Sequence, residues 1–307
     1  MLVHKGNHIG DSWYFVENDT VHCYYLTCPE SVERHTAWDI AHAVSSDLVH
    51  WELCGTVLER GKPTDWDRTC LATGSVLRWK DRYWMAYTAL WNEPAVAVGI
   101  AVSDNLYDWR KLPGNPATRP DARYYEKTGS GARKFTHWRD PFLFEDDGFV
   151  YHVVCASGNT GLADRRGALG VARTKDMSSW EVLPPIPVEQ VTQELECPQV
   201  RRIGNRWFLV FSSLPEVFSN TPREKHGKSL RLSTYCMVAD SPFGPFRMTS
   251  YEPIVPAKWP VQPYACQLLE YKTRPCLMGT VWNDQADFVC DPIALEVWND
   301  PPGLRAV

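Results

Sequence analysis

Four acids stand at the thresholds of apolar, strand-like runs. Asp11 precedes "SWYFVE", Asp140 precedes "PFLFED", and Glu194 and Glu196 precede "CPQVRRI". Arg139 is joined to Asp140, and Pro141 follows them. Carboxylates gathered in a partly desolvated site repel one another, so at least one pKa must rise. A raised carboxylic acid protonates a leaving group at neutral pH while an ionised neighbour acts as base or nucleophile. Two carboxylates with split pKa values are what glycoside hydrolysis requires. Whether these acids meet depends on the elements that carry them.

Those elements repeat. Five segments read as strand, tight polar turn, strand: "DSWYFVENDTVHCYYL", "GSVLRWKDRYWMAYTA", "DPFLFEDDGFVYHVVCA", "CPQVRRIGNRWFLVFSS" and "CQLLEYKTRPCLMGTVW". Their turns, such as "ENDT", "EDDG" and "IGNR", carry the residues that close hairpins. A second motif follows the first: "AHAVSSDLVHWE" (41–52), "GIAVSDNLYDWRK" (99–111), "GVARTKDMSSWEV" (170–182) and a decayed "YCMVADSPFGPFRM" (235–248). Four-stranded units repeated around an axis make a β-propeller. The sequence therefore predicts an all-β, five-bladed propeller, with residues 1–307 as one catalytic domain. A β-sandwich is the bland alternative, but a sandwich needs no fixed order of motifs.

Composition agrees. The chain carries 14 Trp, 13 Tyr and 11 Phe with 23 Pro and 19 Gly, which suits aromatic strands broken by many turns. No long segment has helical periodicity, so very little helix is expected. The net charge of −5, with both signs interspersed, argues against nucleic-acid or anionic-membrane partners. No apolar run is long enough to span a bilayer, and the start lacks a signal-peptide pattern, so a cytoplasmic location is expected. Ten scattered cysteines without a C-x-x-C fit a reducing compartment and read as small buried hydrophobes. No local metal-ligand cluster occurs, and neither metal nor cofactor is expected.

Propeller geometry turns strand order into location. The innermost strand of each blade runs beside the central channel, so all five innermost strands begin at one mouth. Blade 1 brings Asp11 there, blade 2 ("LATGS") no charge, and blade 3 Arg139 and Asp140. Blade 4 brings Glu194, Glu196 and Cys197, and blade 5 Tyr264 and Gln267. The same geometry sends Asp19, Asp81, Asp146 and Asp147 to turns on the far face. Asp47 and Asp176, after the third strands, also point away.

With these residues placed, "WRDPF" and "ECPQV" after an N-terminal acid resemble the fructan- and sucrose-cleaving hydrolases of glycoside hydrolase family 32. The related family-43 arabinosidases and xylosidases are also five-bladed. "AHAVSSDLVHWE" is similar to a blade-1 motif of family 32. The resemblance implies that Asp11 is the nucleophile, Glu196 the general acid and later base, and Asp140 the carboxylate that holds sugar hydroxyls and helps set the acid's pKa. Arg139 would keep that carboxylate ionised and bind substrate. Two departures mark a divergent branch. Gly10-Asp11-Ser12 stands where family 32 usually has Asn-Asp-Pro, and the chain ends soon after blade 5, where the family normally continues into a β-sandwich.

Aromatic side chains near the mouth are candidates to stack on sugar: Trp13, Trp66, Trp138 and Trp259. Asp67, His137 and Gln267 are further candidates for substrate binding, whereas His42 reads as a core histidine. Two polar stretches, 118–137 and 214–229, are expected to narrow the pocket. The reading is thus a glycoside hydrolase acting on a small furanoside, with the family-32 motifs favouring retention. Three alternatives stay open: a transglycosylase on the same site, a member repurposed for a non-carbohydrate metabolite, and a non-catalytic binding propeller. Loss of one of Asp11, Asp140 and Glu196 would mark the last, and all three are present.

Overall fold

A computed structural model of the chain describes residues 1–90, 95–129, 134–282 and 287–307. Five antiparallel sheets follow one another in sequence and close into a ring. Blade 1 comprises β1 (Asn7–Glu17), β2 (Thr20–Pro29), β3 (Asp39–Ser45) and β4 (Glu52–Leu58). Blade 2 comprises β5 (Leu71–Trp79), β6 (Arg82–Ala89), β7 (Ala97–Ser103) and β8 (Arg110–Lys111). Blade 3 holds β9 (Trp138–Asp146), β10 (Phe149–Ser157), β11 (Gly167–Thr174) and β12 (Glu181–Ile186). Blade 4 holds β13 (Glu196–Ile203), β14 (Arg206–Ser213), β15 (Ser233–Ala239) and β16 (Arg247–Met248).

Blade 5 departs from the pattern. After β17 (Tyr264–Tyr271) and β18 (Arg274–Trp282), its third strand is split into β19 (Asp287–Val289) and β20 (Ile293–Asn299), and β21 (Pro302–Ala306) is outermost. Pro292 lies in the break, where it has no N–H to offer a ladder. The N-terminus ties into this blade: Leu2 and Val289 exchange backbone hydrogen bonds of 3.1 and 3.0 Å. The innermost strands β1, β5, β9, β13 and β17 pack in a ring, with β17 against β1 closing it.

The core is five wedges, one at each blade interface. Trp13 and Tyr24 of blade 1 pack with Leu71, Met85 and Tyr87 of blade 2. Cys23 and Tyr25, on the other side of β2, pack with Leu269 and Met278 of blade 5. Successive residues of a strand point to opposite faces, and here both faces meet a neighbouring blade. That is why the middle strands read as continuous apolar runs, whereas β4 on the rim is mostly exposed.

The second repeat proves to be a turn. Ser45, Ser103 and Thr174 accept the N–H groups of Leu48, Leu106 and Met177 at 2.8, 2.9 and 3.0 Å. The side chains of Asp47, Asn105 and Asp176 each accept two further N–H groups. The indoles of Trp51, Trp109 and Trp180 then donate back to the carbonyls of Leu48, Leu106 and Met177. Asp47 and Asp176 are turn builders, as the sequence indicates.

Among the described residues, helix is confined to short pieces. One is α1 (Asn220–His226), inside the expected loop 214–229. No helix among the described residues is long and apolar enough to cross a membrane. Of the other expected loop, 118–137, residues 130–133 lie outside the described set.

Candidate active site

Every innermost strand carries a β-bulge near its start. The register slips between Ile9 and Ser12 in β1, between Ala72 and Gly74 in β5, and opposite Val153 and Cys155 in β9. It slips again between Glu196 and Gln199 in β13 and between Tyr264 and Gln267 in β17. An extra residue bends the strand and re-aims its side chains. Asp140, Cys197 and Ala265 take up the bulge with φ of 61°, 48° and 50°. The residues re-aimed this way include Asp11, Thr73, Asp140 and Cys197, and they line one cavity of about 340 Å³. Arg139, Glu196, Tyr264, His35, Trp38 and Trp282 complete much of its wall.

The three acids expected at the mouth are therefore brought together. Thr73 donates to Asp11 Oδ2, and the Cys197 thiol lies 3.7 Å from the same oxygen. The Cys197 N–H donates to Asp140 Oδ2 at 3.0 Å, and the Asp140 N–H donates to Thr88 Oγ1 at 2.8 Å. Thr88 in turn donates to the Thr73 carbonyl at 3.1 Å, so blade 2 links the acids of blades 1 and 3. Glu196 is held at both oxygens: Arg139 donates to Oε1 at 2.7 Å and Tyr264 to Oε2.

The aspartates titrate abnormally. Burial first, and then the charge of Glu196, push the Asp11 carboxyl up to about 6 against the opposing pull of Thr73, Cys197 and Arg139. Burial likewise pushes Asp140 up to about 7; Arg139 opposes this and Asp11 reinforces it. The expected role of Arg139 needs correction here. Its Nε stands 3.6 Å from Asp140, farther than its Nη2 from Glu196, and desolvation outweighs it. Its closer partners are Glu196, Glu194 Oε2 at 3.1 Å, and His137 Nδ1 at 2.6 Å. Accepting from Arg139 puts the His137 proton on Nε2, which faces Glu194 Oε1 at 3.9 Å.

These acids sit in the span that a family profile covers: the glycosyl hydrolases family 32 N-terminal domain matches residues 11–240. The chain belongs to glycosyl hydrolase family 32. Sucrose-6-phosphate hydrolase of Lactococcus lactis subsp. lactis is 25% identical over 206 residues, 63% of this chain and 39% of that protein. An insoluble-isoenzyme β-fructofuranosidase of Arabidopsis thaliana is 26% identical over 194 residues, 60% of this chain and 31% of that protein. The matches thus span well under half of either curated relative. Among solved structures, inulosucrase from Halalkalicoccus jeotgali bound to kestose superposes with a TM-score of 0.75 at 20% identity, covering 98% of this chain and 87% of that one. That likeness establishes the five-bladed fold.

Within this family-32 propeller, most of the expected substrate contacts lie elsewhere. Trp13 is 1% exposed and stacks on Tyr24 between blades 1 and 2. Trp138 is wholly buried, edge-on to Tyr125 and hydrogen-bonded to Thr118. Both alternate away from the channel towards blade interfaces. Trp66 packs half-buried against Tyr87, and Trp259 against the wedge between blades 4 and 5. Asp67 is consumed by Lys111 at 2.5 Å and Tyr87 at 3.2 Å. Gln267 pairs with Gln199 across blades 4 and 5. His137 is buried behind Arg139. His42 is a core histidine, as read, paired with His22 at 3.0 Å.

The aromatic wall is instead built by Trp38, Trp282, Tyr264 and His35. Trp38 and His35 lie in the connection from β2 to β3, and Trp282 ends β18. These second-to-third-strand connections return to the mouth, so blade geometry could have found them. Thr73 was hidden because blade 2 carries no charge at its threshold.

Proposed function

We propose that this chain is a glycosidase acting on a small β-fructofuranoside-like sugar by a retaining, two-carboxylate mechanism, with the propeller of residues 1–307 as the catalytic domain. The observation that carries this reading is the convergence of Asp11, Asp140 and Glu196 at bulged strand starts in one cavity. Membership of family 32 and relatives named sucrose-6-phosphate hydrolase and β-fructofuranosidase support the sugar class.

In this reading, Asp11 attacks the anomeric carbon as the bond to the leaving oxygen breaks, and that oxygen takes the proton of Glu196. A water, giving its proton to Glu196, then attacks the same carbon and frees Asp11. Asp140 receives sugar hydroxyls, and Arg139 with Tyr264 fixes the Glu196 carboxyl. Trp282 offers an apolar face to the ring, and the buried Trp38 backs the wall behind it. An acceptor sugar in place of water would make the same site a transglycosylase; the fold is shared with an inulosucrase and a β-fructofuranosidase alike.

The test is time-resolved proton NMR with sucrose, a short fructo-oligosaccharide, and aryl arabinofuranosides and xylosides. The expected outcome is cleavage of a fructofuranoside, with retained configuration at first turnover and loss of about 10²–10⁴-fold in Glu196→Gln. Cleavage of none of them, or full activity in the variant, would remove the reading.

A further inference from the structure

The leaving-group side of the cavity is built on blade 4. Glu196 in β13 lies opposite Ser212 in β14, and the next ladder ends with Ser213 opposite Ser233 in β15. Leu214 and Leu232 are the residues immediately beyond that last pair, and both line the cavity. They therefore stand side by side at the rim of the blade that supplies Glu196. A general acid must sit against the oxygen it protonates, so the aglycone lies on this side. Leu232 is 47% exposed, a large apolar side chain left open to solvent at the lip of a cavity whose acids Asp140 and Glu196 are buried at the floor. By contrast, the floor beside Asp11 and Asp140 is polar, with Thr73, Arg139 and the Cys197 N–H at hand.

This asymmetry has a chemical meaning. A second sugar as leaving group presents hydroxyls that need partners once desolvated, and leucines supply none. An alkyl or aryl aglycone instead gains from every apolar contact. We propose that the aglycone subsite of this enzyme is an apolar lip made by Leu214 and Leu232, selecting glycosides with an alkyl or aryl aglycone over disaccharides. The inference rests on the glycosidase reading, with Glu196 as the acid.

An alkyl series tests it, because methyl, n-butyl and n-hexyl alcohols leave with nearly equal intrinsic ease. kcat/KM is measured for the three β-fructofuranosides and sucrose, in the parent and in Leu214→Asn and Leu232→Asn. The expected result is a rise of roughly tenfold or more from methyl to n-butyl, since each methylene buried is worth about fourfold. The butyl-to-methyl ratio should fall towards one in Leu232→Asn, whose exposed position allows it to fold. Equal rates along the series, or sucrose as the best substrate, with cleavage still abolished in Glu196→Gln, would overturn the lip and leave the glycosidase reading intact. No cleavage of any member would remove both.

Discussion

Arg139 of blade 3 reaches across to blade 4 and donates to Glu196 Oε1 at 2.7 Å, with the same Nη2 shared by Glu194. The guanidinium is 4% exposed, so three charged side chains depend on one another away from water. Removing one member of a buried charge cluster strands the others and costs about 3–5 kcal/mol. Arg139→Met should therefore lower Tm strongly as well as activity. Arg139→Lys, which keeps the charge but not the fork, should retain more stability while losing at least about 100-fold in kcat/KM. Thermal melts and initial rates on both variants separate these effects.

As the proposed nucleophile, Asp11 must be ionised to attack. Its carboxyl is raised to about 6, so kcat/KM should fall as pH drops through that region. Thr73 stabilises the ionised form by donating to it. Thr73→Val should therefore move the acidic limb to higher pH. A pH profile between about 4.5 and 8 reads the displacement.

Asp140 gives a stability prediction opposite in sense to its proposed role in binding sugar. Its carboxyl, pushed up to about 7 by burial, lies well above the ordinary aspartate range of the unfolded chain. The folded state thus holds its proton more tightly, and stability is lost as pH rises from the unfolded value through the folded one. Asp140→Asn removes this liability. The variant should melt higher than the parent at pH 8, with the difference shrinking towards pH 4.5, while its activity is lost. Melts at several pH values check the sign.

The tryptophans divide by role. Trp282 lines the cavity, so Trp282→Ala should raise KM about tenfold or more. Trp13 stacks in a blade interface with its indole N–H unpartnered, so Trp13→Phe should leave KM unchanged and alter only stability, modestly. Steady-state kinetics on the two variants distinguish wall from core.

That contrast shows what sequence could and could not convey. Five copies of one hairpin pattern announce five blades, and blade geometry alone brings Asp11, Asp140 and Glu196 to one mouth. The bulges that aim these side chains are not written as one motif: no residue type is common to Gly10-Asp11, Asp140-Pro141 and Cys197-Pro198, although Asp and Pro each recur in two of them. Trp13 and Trp138 are adjacent to key residues in sequence, but strand alternation turns each into a blade interface. Asp67 looked available because its partner Lys111 is 44 residues away. Proximity along a strand misled; position in the second-to-third-strand connection, as for Trp38 and Trp282, was the informative signal.

The central claim is that Asp11 and Glu196 work as nucleophile and acid/base. It is tested most directly by mass spectrometry of Glu196→Gln after brief exposure to an aryl β-fructofuranoside. Its good leaving group needs no acid, whereas release by water does need the missing base. The expected result is one hexosyl unit accumulating on the peptide that carries Asp11. An adduct on another residue, or turnover with inverted configuration and no adduct, would contradict the account.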